Sequence, residues 1–76
     1  MNDSAVDSDD HVVVGKIGRV TGAIAPGRTG EVVIHVRGGT EAFLAHAAES
    51  GETIPVQSRV VVVEYYPPRT VYVSPA

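Results

Sequence analysis

Arg59-Val-Val-Val-Val-Glu-Tyr-Tyr66, followed at once by Pro67-Pro68, is the stretch whose reading decides the fold. Four consecutive valines are β-branched, and their side chains suit the pleated, half-buried surface of a strand. Proline has no backbone N–H to give to a sheet ladder, so the strand must stop at Tyr66. An unbroken apolar run requires either that both faces be covered or that a bulge switch the alternation. Moving outward, Thr70-Val-Tyr-Val73 follows the prolines, and three similar runs precede them. These are Val12-Val-Val-Gly-Lys-Ile17, Glu31-Val-Val-Ile-His-Val-Arg37 and Thr40-Glu-Ala-Phe-Leu-Ala-His46. No segment carries a helical stripe. Five short strands fenced by glycine and proline predict an all-β fold, a small closed Greek-key barrel.

The 76 residues allow one domain. A chain this short buries roughly 60% of its unfolded surface. It has no cysteine to staple it, so barrel closure, which leaves few unpaired edges, must supply the stability. The formal net charge is -3, but Asp3, Asp7, Asp9 and Asp10 stand in the first ten residues with no base among them. Residues 1–10 therefore read as a flexible acidic leader, and residues 11–76 as the barrel domain. Beyond the leader five glutamates face six bases, so the body is near neutral. That balance is a weak electrostatic footprint for nucleic acid. No stretch approaches the roughly 20 apolar residues of a membrane span, and the acidic start is unlike a secretory signal.

Within the first run Gly15 and Gly18 sit inside the expected strand. Ile17 and Val20 are three apart and cannot both face inward on strict alternation, so a bulge is expected near Gly18. A long, bent first strand is what an oligonucleotide/oligosaccharide-binding (OB) barrel requires. In the second strand Val32, Ile34 and Val36 are expected inside. Gly38-Gly39 is a tight hairpin signal. In the third strand Ala42 and Leu44 are expected to point in, with Phe43 outward or covering a barrel end. Ala45 to Glu49 allows one helical turn, and Ile54 is expected to plug the barrel end. Val71 and Val73 complete the core.

No catalytic, cofactor or metal site is expected. His11, His35 and His46 lie in different elements without local ligand pairs, which zinc sites usually show. Ser50 and Ser58 lie in turns, and no Gly-x-Ser-x-Gly elbow is present. A valine-filled barrel offers no cleft to exclude water. The residues left for a partner contact are Ile24, Pro26 and Arg28 in the apolar loop after the first strand, with Phe43, Tyr66 and Tyr72. An apolar loop of this kind serves as end packing or as a binding lip, and tyrosines beside prolines are enriched at interfaces.

The order of these elements resembles the C-terminal soluble domain of NfeD-like proteins. The residues that carry the resemblance are Gly15-Lys-Ile-Gly18, Pro26 with Gly30-Glu-Val-Val-Ile34, Glu41-Ala42, Ile54, Val60-Val-Val-Val63, and Val71-Tyr-Val73 with Pro75. The chain departs from the family at Gln57-Ser58, where a glycine usually precedes the fourth strand, and at Tyr66-Pro-Pro-Arg69, where a glycine hairpin is common. The resemblance implies an OB-type barrel that acts as a non-catalytic protein-interaction module. It further implies a membrane-associated parent working with stomatin/prohibitin/flotillin-type partners. Contact with a membrane would come only through segments outside this chain, the leader then being a tether, unless this is a free-standing short version; the chain itself is expected to be soluble. The alternative is an OB barrel that binds single-stranded nucleic acid. A third reading is a structural cap or oligomerisation piece.

Overall fold

The computed structural model of the protein describes residues 13–36 and 38–76. The expected leader lies outside them, as do His11 and Arg37. Five strands follow one another: β1 Ile17–Gly22, β2 Gly30–Val36, β3 Gly39–Ala47, β4 Arg59–Tyr66 and β5 Thr70–Pro75. They close into a barrel in the order β1-β2-β3-β5-β4, with β4 returning to β1. Only β3 and β5 run parallel; the other neighbours are antiparallel. This is the expected OB-type barrel, and β4 has the bounds the valine run and the prolines predict.

The core is aliphatic. Val20, Val32, Ile34, Ala45, Val60, Val62, Val71 and Val73 line the interior with Phe43, and no polar or charged residue is buried among the described residues. At one end Ile24 and Ile54 form an antiparallel bridge, exchanging amide hydrogen bonds at 2.9 and 2.8 Å. Both side chains are buried, so Ile54 is the expected plug and Ile24 is its partner.

Three expectations need correction. β1 begins at Ile17, after a turn that includes Gly15. Its bulge falls between Val20 and Gly22, not at Gly18. Ile17 simply faces outward, 43% exposed, so Gly18 and Val20 face inward in ordinary alternation. The third strand has the opposite phase: Phe43 is only 4% exposed and Ala45 is buried, while Leu44 is 50% exposed. Its register against β2 places Phe43 opposite Val32 and Ala45 opposite Gly30, and directly opposed residues share a face. Finally, no helical turn starts at Ala45. β3 continues to Ala47 because His46 and Ala47 pair with Tyr72 and Val73 of β5, and Ala48 N–H then donates to the Val73 carbonyl at 2.7 Å.

Gln57 stands in the turn into β4 with a positive φ. Its φ is 75°, in the left-handed region that a side chain makes unfavourable by about 1–2 kcal/mol. The turn is held there because Gln57 N–H donates to the Val20 carbonyl at 2.7 Å. Glycine relieves the strain but loses more entropy on folding. Gln57→Gly is therefore expected to stabilise the barrel by about 0.5–1 kcal/mol, raising Tm by about 2–8 °C for a domain of this size. Thermal denaturation followed by circular dichroism checks this; a lower Tm rules it out.

Candidate functional site

The bulge in β4 builds the most prominent surface feature. Val60 and Val62 face the core. Strict alternation would then carry Glu64 and Tyr66 inside with them. The pairing with β5 shifts between Val62 and Glu64 instead. One extra residue in the strand reverses the phase. Tyr65 now packs against the core, edge-on to Phe43 at 6.0 Å, and its hydroxyl donates to the Pro68 carbonyl at 3.0 Å. Glu64 and Tyr66 are placed outside.

On the outer face of β3, β5 and β4 this brings together side chains from three strands. Tyr72 stands opposite His46 on one side and Glu64 on the other. Its ring lies 5.1 Å from His46 and 5.5 Å from Tyr66. Tyr66 is 53% exposed. Its hydroxyl donates to Glu64 Oε1 at 3.3 Å. The Glu64 carboxylate disfavours a phenolate beside it, and so raises the Tyr66 pKa above the usual tyrosine value. Leu44, outward on β3 opposite Thr70, extends the strip with an exposed aliphatic surface.

The six residues singled out for partner contact divide. Tyr66 and Tyr72 share this strip. Pro26 and Arg28 are exposed in a tight turn, where Arg28 N–H donates to the Ala25 carbonyl at 2.9 Å. Ile24, at 1% exposure, and Phe43 belong to the core and offer a partner no surface. The apolar loop after β1 is thus end packing at Ile24 and exposed only at its tip. Sequence reasoning missed Leu44, because of the inverted phase, and Glu64, whose outward position depends on the bulge. His35 and His46 stand on different strands, β2 and β3.

The arrangement of charge also bears on the nucleic-acid reading. Single-strand binders place stacking aromatics along a basic groove. Here Arg59 and Tyr66 are the first and last residues of β4, roughly 20 Å apart along the strand. Arg69 is 3.7 Å from Glu41 and so partly neutralised. Among the described residues the strip and the strand arginines Arg19 and Arg59 do not combine into one channel.

The model of the NfeD C-terminal domain matches residues 17–74, which is the barrel from the first residue of β1 to the last but one of β5. The chain belongs to the NfeD C-terminal domain family. Its fold is similar to the solution structure of the soluble domain of the NfeD protein YuaF from Bacillus subtilis. That likeness has a TM-score of 0.73 at 29% identity, and covers 97% of this chain and 89% of that one. None of the curated proteins matches the chain. Within this NfeD-type barrel, the aromatic strip is carried by β3, β5 and the far half of β4.

Proposed function

We propose that this chain is a non-catalytic protein-interaction module of an NfeD-like, membrane-associated protein, and that it docks a stomatin/prohibitin/flotillin-type partner. The docking face is the outer surface of β3, β5 and β4. The observation that carries the proposal is the strip His46–Tyr72–Tyr66 with Leu44 beside it. Aromatic side chains at the surface supply large contact areas at low entropy cost and dominate interface energetics. The interior supports a binding role over a catalytic one, since the buried side chains are aliphatic apart from Phe43. None of the described residues forms a helix long and apolar enough to cross a membrane, so tethering would fall to other segments of the parent protein.

The test is capture of a stomatin-type protein encoded beside the parent gene, by the wild-type chain and by Tyr66→Ala/Tyr72→Ala. Hot-spot tyrosines contribute about 2 kcal/mol or more each, so the double variant, at about 4 kcal/mol, is expected to lose about a thousandfold in affinity. Its circular dichroism should remain that of the folded barrel. Absence of capture by the wild type overturns the proposal, as does equal capture by a folded double variant.

A further inference from the structure

The opposite side of the barrel carries a second feature that the aromatic strip does not explain. On the outer face of β1, Arg19 lies between two neighbours: Val33 of β2 and Arg59 of β4 are each directly opposite it in register. Like charges directly opposed across antiparallel strands repel at close range. A chain with six bases has placed two of them side by side. Among the described residues neither Arg19 nor Arg59 has a carboxylate partner. The acid on this face, Glu31, stands two positions along β2 from Val33, and its Oε1 already accepts the Thr21 hydroxyl at 2.8 Å. Arg69, by contrast, has Glu41 beside it.

The two guanidinium groups border an open groove of about 350 Å³, lined also by Ile17, Thr21, Val33 and His35. Its floor is aliphatic. Ile17 is one of the few large apolar side chains the fold leaves exposed, and Val33 is half-buried. Among the described residues the one ring that lines it is His35, and no tyrosine or phenylalanine borders it. A nucleic-acid strand would find phosphate contacts here but a single ring to stack on, not the series of aromatics along a groove that single-strand binders use. Paired guanidinium groups above an aliphatic floor match another chemistry: carboxylates held by charge-assisted hydrogen bonds, next to an aliphatic side chain.

We propose that the outer face of β1, β2 and β4 is a second binding surface, and that it takes an extended acidic segment of a protein partner. Carboxylates of that segment bind Arg19 and Arg59, and an aliphatic residue of it covers Ile17 and Val33. The proposal rests on charge complementarity and is independent of the partner assigned to the aromatic strip. The barrel then has two recognition faces, one aromatic and one cationic, which can hold two segments at once.

The test titrates the full chain, labelled with nitrogen-15, with an octapeptide of alternating aspartate and valine. The expected result is a set of amide shifts centred on Arg19, Val33 and Arg59, with an affinity that falls as salt is added. Arg19→Gln/Arg59→Gln, both surface changes, should weaken the peptide by about tenfold or more. Tyr66→Ala/Tyr72→Ala should bind it unchanged, which separates this surface from the aromatic one. A serine–valine octapeptide that binds as well overturns the proposal, and so does the absence of localised shifts. Tighter binding by an oligothymidylate at the same residues would make this a phosphate surface and would also overturn it. A full chain with Asp3, Asp7, Asp9 and Asp10 changed to asparagine distinguishes the remaining source of carboxylates. Unchanged peptide affinity supports a partner segment, whereas a tenfold gain would identify the chain's own leader as the occupant and overturn the assignment to a partner.

Discussion

Gly30→Ala is expected to destabilise the barrel by about 3 kcal/mol, the upper end of the usual cost of overpacking. Gly30 is buried at the start of β2. A methyl group built there would lie 2.5 Å from the Gly22 carbonyl oxygen, 2.5 Å from Ile24 Cγ1 and 2.8 Å from the Ala23 carbonyl oxygen. Two of those three atoms are backbone and cannot turn aside. The third belongs to the side chain that seals the barrel end against Ile54. The vacancy at Gly30 is therefore the slot that admits Ile24, and filling it displaces the plug. A loss of this size is a large share of the 5–15 kcal/mol typical of folded domains, and corresponds to a fall in Tm of about 12–24 °C. Gly39→Ala supplies the control. Gly39 also stands at the head of a strand, but nothing lies within 4 Å of its would-be Cβ, so its replacement should change stability by under about 0.5 kcal/mol. Urea denaturation of both variants decides the matter: equal midpoints would mean that Gly30 is not a close-approach site.

How much of this was legible in the sequence depends on how far apart the interacting residues lie. The valine run with its proline stop defines β4 by local chemistry alone, and its unbroken apolar character already signals a bulge. The bulge's position was not legible, because Val62, Val63 and Glu64 offer no glycine to mark it. Yet that one residue decides whether Tyr66 is core or surface. The role of Ile24 depends on a vacancy six residues further on, so the apolar loop could be read as packing or as a binding lip with equal chemical logic. The Arg19–Arg59 opposition was least accessible. It arises only because β1 and β4, forty residues apart in sequence, are brought side by side by barrel closure. Tyr66 was singled out from its type and its neighbouring prolines and Tyr72 as a ring that could face outward, but the residues that stand beside them on this face, His46 and Glu64, were not legible as their neighbours.

The phase of β3 yields the second large effect. Phe43→Ala is expected to cost about 3–5 kcal/mol, the usual loss for deleting a buried aromatic ring, and Leu44→Ala under about 0.5 kcal/mol. Ala42-Phe-Leu-Ala45 alternates equally well either way, as alanine–leucine or as phenylalanine–alanine, so composition does not choose. The hairpin does. Val36 pairs with Gly39, leaving two residues between the strands, and every even-numbered residue of β2 then faces an odd-numbered residue of β3. Since Val32 and Ile34 are inside, Phe43 and Ala45 must join them. A turn centred on Gly38-Gly39 would shift the pairing by two positions and preserve that parity. The inward phase therefore follows from turn length and the β2 core together, and was missed because β3 was judged by its own residues. Removing Phe43 also takes away the ring that meets Tyr65 edge-on, so the loss should extend to the end of β4. Denaturant midpoints for the two variants give the answer directly. A Leu44 variant less stable than the Phe43 variant would reverse the phase of β3 and, with it, remove Leu44 from the face assigned to the partner.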